Sequence, residues 1–374
     1  MKKEAKIIKY AALSFNTENI GDEIQSLAAQ RFLPRIDYFI DRDNLDDHPQ
    51  HNNETIKIIL NSWFISPSIK DQLIHWPPKK TSLDPLLISM HVSFLNGSTD
   101  VFASSSSCSF LNSFSPVGAR DFATRNFLQS LGIPTYFSGC LTLTLIPDPS
   151  IKKQNYILAV DISDKLFNEL TQRSKRKIIR LDTTHPINID TSTRFKLAKY
   201  WLYLYQSAHC VISPRLHAIL PCLNLGTPVI GISGRDTERY SGLIELVNHY
   251  TEKELIQNKR ISIDKPIKNP NTYKTIQKNL VKKCKEYTGY DSEQSFLLGT
   301  KLSDLLSDQD ILSVFIKSVS DSYYYESEFK KHFSIEQQLE QELERLKNPG
   351  VKTSIKYLFK ASKRYCHKNP INDQ

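Results

Sequence analysis

The chain lacks any long apolar run. No stretch approaches the ~18–20 uninterrupted apolar residues a spanning helix needs, so no integral membrane segment is expected. The N-terminus, MKKEAKIIKYAALSF, is broken by Glu4, Lys6 and Lys9 and offers no secretory apolar core. Cysteines are few and scattered: Cys108, Cys140, Cys210, Cys222, Cys284 and Cys366 contain no CxxC pair and no zinc-like Cys/His spacing. Cys140, Cys210 and Cys222 sit in apolar runs and read as small buried hydrophobes, which argues against a disulfide framework and fits a reducing compartment. Neither a metal nor a bound cofactor is called for. These absences predict a soluble, cytoplasmic protein.

What is present is ordinary for a globular chain: 374 residues, 40% apolar and 24% charged, with room for a sizeable core in about two to three domains at ~150 residues each. The 49 Lys and Arg against 40 Asp and Glu leave a net charge of +9. Much of that excess lies late, at Lys278, Lys282, Lys283 and Lys285 and again from Lys352 to Lys368. No nucleic-acid-binding module accompanies it, so nucleic acid is not an expected partner. A solvated surface is the simpler reading, although the tail (Lys352, Lys356, Tyr357, Phe359, Lys363, Arg364, Tyr365) has the amphipathic, aromatic character that suits contact with an anionic membrane.

Short apolar runs alternate with helical patterns. Strands are expected at residues 9–15, 36–40, 56–61, 86–91, 101–103 and 135–145, and helices at 22–33 and 121–131, the latter stopped by Gly132 and Pro134. Residues 147–154 (PDPSIKKQ) read as a linker. A second alternation follows: strands at 156–161, 177–181, 209–213 and 228–232, helices at 163–173, 191–207 and 215–225. The pattern predicts an α/β protein with two Rossmann-like domains facing across a cleft, residues 1–150 and 155–260. A helical, basic C-terminal region, 261–374, is expected to complete the chain, with helices near 271–287, 292–306, 308–319 and 334–347.

Glycine is scarce, 12 residues against a usual share of roughly 7%, so its positions are informative. Several fall where strands meet helices, the points at which backbone approaches a ligand. Three such junctions carry chemistry. At 210–232 (CVISPRLHAILPCLNLGTPVIGI) an apolar strand runs into Ser213 and Pro214, and Arg215 and His217 sit at the start of the next helix. A guanidinium beside exposed helix N–H groups suits a phosphate or carboxylate, and His217 is placed to move a proton onto what is held there. At 117–121 (VGARD) Arg120 is delivered to a loop before a helix whose cap is Asp121, and it is a second anion ligand. At 19–22 (NIGD), with Asn19 and Gly21, Asp22 is either a helix cap or a carboxylate that takes a proton from a hydroxyl. Arg235, Arg239 and Tyr240 follow Gly234 and can contribute to the same mouth. Two arginines, a histidine and an aspartate at such junctions suit a transferase acting on a small, multiply charged anion.

Three stretches together resemble the polysaccharide pyruvyl transferase family: Asn19-Ile-Gly-Asp-Glu-Ile-Gln25; Gly118-Ala-Arg-Asp121 with Phe137-Ser-Gly-Cys-Leu-Thr-Leu143; and Arg215-Leu-His217 followed by Leu225-Gly-Thr-Pro-Val229. The resemblance spans roughly residues 5–250. It implies a two-domain, GT-B-like fold and transfer of pyruvate from phosphoenolpyruvate to a sugar of an exopolysaccharide or its precursor, closing a ketal across two hydroxyls. It further implies that Arg120, Arg215 and Leu216 line the phosphoenolpyruvate site, that His217 is the general acid, and that Asp22 is a catalytic or acceptor-side carboxylate. Arg235 is a weaker carry-over. Phosphoenolpyruvate is then a donor substrate, and no cofactor is implied; the acceptor is a sugar, free or lipid-linked. Where the family commonly has an aspartate before the Arg-Leu-His, this chain has Pro214. Two other readings remain open: a nucleotide-sugar glycosyltransferase of the same layout, and a non-catalytic scaffold that recruits a glycan assembly through its C-terminal helices.

Overall fold

The computed structural model describes residues 7–298, apart from 50, 52, 66–74, 81, 186–188 and 235–236. Arg235, the helices expected at 308–319 and 334–347, and the basic tail lie outside the described residues.

The first half opens with β1 (Ile7–Ser14), α1 (Ile20–Gln30), β2 (Tyr38–Asp41), β3 (Glu54–Leu60), β4 (Trp63–Phe64), β5 (Leu83–Leu87) and β6 (His91–Val92). It continues through α2 (Ser98–Ala103), α3 (Ser105–Ser113), β7 (Val117–Ala119), α4 (Phe122–Ser130), β8 (Thr135–Phe137) and a 3-10 turn at Leu141–Thr144. The second half has β9 (Tyr156–Val160), α5 (Asp164–Arg173), β10 (Lys177–Leu181), α6 (Thr191–Ser207), β11 (Cys210–Ser213), α7 (Leu216–Leu225) and β12 (Val229–Ser233). It closes with α8 (Thr237–Tyr240), β13 (Asn248–Thr251), α9 (Glu252–Gln257) and α10 (Tyr273–Thr288).

These strands build two parallel sheets, β2-β1-β3-β5 and β10-β9-β11-β12-β13, with the short pairs β4-β6 and β7-β8 beside the first. Each sheet has its own apolar core. Ala11, Leu13, Ile56, Ile58 and Leu60 anchor one, and Ile157, Ala159, Cys210, Ile212 and Ile230 the other. Strands buried on both faces explain why these segments read as continuous apolar runs. The architecture is therefore mixed α/β with parallel sheets.

Helices begin where short polar side chains cap them: Asp121 accepts from the Thr124 amide for α4, Ser163 from Leu166 for α5, and Asp190 from Thr193 for α6. The capping alternative for Asp22 does not hold. Asn19 caps α1, its Oδ1 accepting from the Gly21 amide at 3.1 Å, and Asp22 lies one turn inside.

Other expectations are corrected. Residues 101–103 form the end of α2 instead of a strand; only Phe102 of the three is fully buried, and so short an apolar run carries no period. The strand expected at 86–91 is cut by Ser89, whose φ of +56° ends β5 and separates it from β6. The strand expected at 135–145 stops at Phe137 because Gly139, at φ +72°, turns the chain into the 3-10 segment. Residues 292–298 are turn and irregular chain, not the start of a helix.

Residues 7–298 belong to one compact unit, and three features tie its halves together. The loop before α1 pairs with the chain after β10: Ile20 N–H donates to the Thr183 carbonyl at 3.0 Å and His185 N–H to that of Glu18 at 2.8 Å. Helix α1 packs on α6 and α7. Helix α10 returns to the first sheet, where the Tyr287 hydroxyl accepts from Ile58 N–H at 2.9 Å and donates to the Asp84 carbonyl, and Arg31 pairs with Asp291 at 2.7 Å. The first helix of the 261–374 region thus serves the 1–150 sheet.

Candidate active site

The segments that follow β1 of the first sheet and β10 and β11 of the second meet at one small cavity. Asn19, Ile20, Gly21 and Ile24 of α1 and its cap form one wall. Arg215, Leu216, His217 and Ala218 at the start of α7, with Thr183, Tyr205, Arg239 and Tyr240, form the rest. Of the sequence-derived candidates, Asn19, Gly21, Arg215, Leu216 and His217 therefore share a cavity.

The local sequence explains this meeting. β11 is fully buried and ends at Ser213, whose hydroxyl accepts from the Arg215 amide at 2.9 Å. Pro214 stands between them, and the Tyr240 hydroxyl donates to its carbonyl. Arg215 becomes the cap of α7 in extended conformation, so the amides of Leu216 and His217 open the helix toward the cavity. Pro221 inside α7 lacks the amide that would otherwise bond the His217 carbonyl. Across the cavity, Gly21 lets α1 approach closely: a Cβ there would stand 2.8 Å from His217 Nδ1 and 3.0 Å from His217 Cβ. The glycine of the Asn-Ile-Gly stretch thus packs on the histidine of the Arg-Leu-His stretch, which lies almost two hundred residues away.

His217 is buried, and its Nε2 has no hydrogen-bond partner. Burial pushes its pKa well below the usual imidazole value, and the guanidinium groups of Arg120, Arg239 and Arg215 push it further. The ring is therefore neutral in the ligand-free site. Arg120 is wholly buried, and its Nε and Nη2 also lack hydrogen-bond partners. Burial lowers its pKa, opposed by Asp121. Arg215 is half exposed, and its Nε lies 2.5 Å from Asp161 Oδ2.

Beneath the cavity runs a buried polar chain. Arg42 Nη1 stands 3.6 Å from Asp22 Oδ2, and Gln25 Nε2 donates to Asp22 Oδ1 at 3.2 Å. Arg120 Nη1 then donates to Gln25 Oε1 at 3.5 Å, and its Nε lies 3.6 Å from Asp121 Oδ2. That oxygen in turn accepts from His91 Nδ1 at 2.6 Å. His91 falls to about 4 through burial and Arg120, with Asp121 pulling the other way, so the contact joins a neutral imidazole N–H to a carboxylate and not two charges. Burial works against the charge on Asp121, but His91, Arg120 and the Thr124 amide together hold its carboxyl below the usual range. Asp22 also accepts from the Thr17 hydroxyl at 2.8 Å, so its oxygens are occupied by Thr17, Gln25 and Arg42, and it does not line the cavity.

The sequence reading passed over Arg42, His91, Asp161, Thr183 and Tyr205. Asp161 follows β9 at φ +51° and accepts from the Thr183 amide at 2.9 Å as well as from Arg215. Burial raises its pKa, with Arg215 opposing. Its position at a strand's carboxyl end, like that of Arg120, is the signal that was legible. Arg42, directly after β2, carries the same mark, whereas Tyr205, inside α6, carries none. Among the described residues no group of three or more His, Cys, Asp or Glu is arranged to hold a metal ion, and no helix is long and apolar enough to cross a membrane.

Residues 19–236, more than half of the chain, match the family model described as polysaccharide pyruvyl transferase. No curated protein matches the chain. Among solved structures, similarity is found to a functionally uncharacterized protein from Klebsiella pneumoniae subsp. pneumoniae NTUH-K2044, with 14% identity, 63% of this chain and 86% of that one covered, and a TM-score of 0.38. UDP-GlcNAc 2-epimerase from Methanocaldococcus jannaschii matches at 10% identity, covering 73% of this chain and 98% of that one, with a TM-score of 0.35. The wall teichoic acid polymerase TagF matches at 12% identity over 82% and 89%, with a TM-score of 0.32.

Proposed function

The chain belongs to the polysaccharide pyruvyl transferase family, and from that premise we propose that it transfers the pyruvyl group of phosphoenolpyruvate to two hydroxyls of one sugar in a polysaccharide or its precursor. The products are a pyruvate ketal and inorganic phosphate. One observation carries the donor assignment: among the described residues, Nε and Nη2 of the buried Arg120 and Nε2 of the buried His217 have no hydrogen-bond partner, and His217 lines the cavity together with Arg215 and Arg239. Buried N–H donors left unused are costly, and a second anion beside them would use those that Asp121 and Gln25 leave free. Phosphoenolpyruvate supplies one at both ends, through its phosphate and its carboxylate.

In this reading Arg120, Arg215 and the opening amides of α7 at Leu216 and His217 hold the two anionic groups, with Asn19 and Gly21 shaping the opposite wall. Binding offsets the arginine field, so His217 takes up a proton. It then gives that proton to the methylene carbon, and the adjacent carbon becomes cationic. A sugar hydroxyl attacks that carbon and loses its proton to the now neutral imidazole. The carbon–oxygen bond to phosphate breaks with the electron pair leaving on phosphate, and a second hydroxyl closes the ketal, its proton passing to the departing phosphate. The arginines stabilise the charge that gathers on that leaving group. Asp22 acts through Gln25 on the placement of Arg120 and not on the acceptor. The two sheets form the two lobes of a GT-B-like layout, and the site lies between them. Work on an exopolysaccharide precursor, free or lipid-linked, calls for a cytoplasmic protein, and the basic, aromatic composition of residues 352–368 suits the inner membrane face.

Incubation with phosphoenolpyruvate and cell-derived glycan precursors, followed by phosphate release, tests this directly. The wild type is expected to release phosphate only with acceptor, and His217→Ala to abolish it. Arg215→Ala should weaken phosphoenolpyruvate binding about tenfold or more, while Arg260→Ala, at an exposed basic residue away from the site, leaves it unchanged. No release by the wild type, or equal losses in the two arginine variants, refutes the proposal. Thermal stabilisation by UDP- or GDP-sugars in place of phosphoenolpyruvate would indicate a glycosyltransferase instead.

A further inference from the structure

The turn after β6 holds large apolar side chains in solvent. Phe94 is 37% and Leu95 57% exposed, yet the turn that carries them is rigidly made. Leu95 N–H donates to the Ser93 hydroxyl at 3.2 Å, and the Ser98 amide and hydroxyl both donate to the Leu95 carbonyl, at 3.1 and 2.8 Å. Asn96 and Gly97 at φ +54° and +79° complete it. The turn thus presents two adjacent, partly exposed apolar side chains on a hydrogen-bonded frame.

Phe94 packs edge-on against Phe127 at 5.9 Å between ring centroids and stands 6.3 Å from the His91 ring. The half-buried indole of Trp63 lies 6.4 Å from the same His91 ring. The guanidinium of Arg239, a cavity-lining residue, lies over that indole at 5.4 Å. Ring contacts therefore link the partly exposed Phe94, through the buried His91, to Trp63 and so to Arg239 at the cavity.

We propose that these linked rings, with Phe94 as the exposed platform, form the subsite that receives the sugar ring of the acceptor. The inference rests on the pyruvyl-transfer reading above and adds to it where the second substrate enters. A pyranose has one face made of C–H groups, which stacks on an aromatic ring, and an edge of hydroxyls, which needs polar partners. Here the ring contacts connect the platform to a polar cavity, so a sugar stacked on Phe94 would find partners for its hydroxyls in Arg239 and the groups that line that cavity. Phe94 is a binding residue in this account and has no part in proton transfer.

The test is ligand-observed NMR on the full chain. Methyl pyranosides of glucose, galactose, mannose, N-acetylglucosamine and N-acetylmannosamine serve as probes, with and without phosphoenolpyruvate. At least one glycoside is expected to bind the wild type. Phe94→Ala should weaken that binding about tenfold, Phe94→Tyr should retain it, and phosphoenolpyruvate affinity should be the same in all three. Unchanged glycoside affinity in Phe94→Ala, or no glycoside binding to the wild type, overturns the subsite. Failure of phosphoenolpyruvate to bind the wild type would instead remove the donor assignment, and the glycoside titrations would still decide the rim.

Discussion

Replacing Gly21 by alanine sets two opposed effects against each other. Within a helix, alanine is favoured over glycine by about 0.5–1 kcal/mol, so a surface position would gain stability. Position 21 has no such room. The added methyl would meet His217 Nδ1 at 2.8 Å, His217 Cβ at 3.0 Å and Asn19 Oδ1 at 3.1 Å. The Nδ1 contact could be relieved by rotating the ring, but the Cβ contact requires α1 and α7 to part. Overpacking of this kind costs roughly 1–3 kcal/mol. The sum is a variant destabilised by about 0–2.5 kcal/mol, with a melting temperature shifted by only a few degrees. Activity should respond far more, because the imidazole that must reach the methylene carbon is displaced by a sizeable fraction of an ångström. Misplacement on that scale costs about a hundredfold in turnover. Thermal denaturation and phosphate release, measured on the same preparation, separate the two quantities. A Gly21→Ala protein that is more stable than wild type and fully active would refute the close packing of α1 on His217 and the role assigned to that residue.

Phosphoenolpyruvate binding should tighten as pH falls. The His217 pKa is depressed in the empty site and rises when the anion arrives, so a proton is taken up with ligand, and affinity changes by up to about tenfold per pH unit between the two values. His217→Asn should remove this dependence and leave only the ionisation of the phosphate itself, near ~6, as calorimetry at several pH values would register. Asp121→Ala should destabilise the fold by about 3–5 kcal/mol in urea unfolding, since it strips Arg120 of its buried counter-charge and α4 of its cap. Asp121→Asn should lose less. Because the folded-state pKa of Asp121 lies below its ordinary value of 3.8, its contribution is present above that value and is lost as acid titrates the native carboxylate. Tyr287→Phe should cost about 1–3 kcal/mol by leaving the Ile58 amide without its partner, with phosphoenolpyruvate affinity unchanged, because α10 anchors the first sheet away from the cavity.

Much of the second half was legible in its alternation of apolar runs and helical patterns: 177–181 and 191–207 fall at the residues expected, whereas the short β13 and α9 were not anticipated. Short segments were not. Residues 101–103 carry too few positions to display a period, and Ser89 and Gly139 break expected strands through positive φ angles that residue type alone does not announce. Arg120, Arg215 and His217 stood out in the chain because charge at a strand's carboxyl end is conspicuous amid apolar neighbours. Asp22 was visible too, but whether it capped a helix, faced a substrate or neutralised Arg42 was decided by partners far away in sequence.

The amino-acid sequence by itself determined the α/β alternation, the parallel sheets it implies and the three stretches that mark the family, since these follow from local periodicity, capping and residue order. Only the tertiary structure decided that Gly21 touches His217, that His91 and Arg42 join the buried chain beneath the site, and that α10 returns to the first sheet. Such contacts join residues widely separated in the chain, and their energies arise from burial and electrostatic fields that exist only once the two halves have packed together.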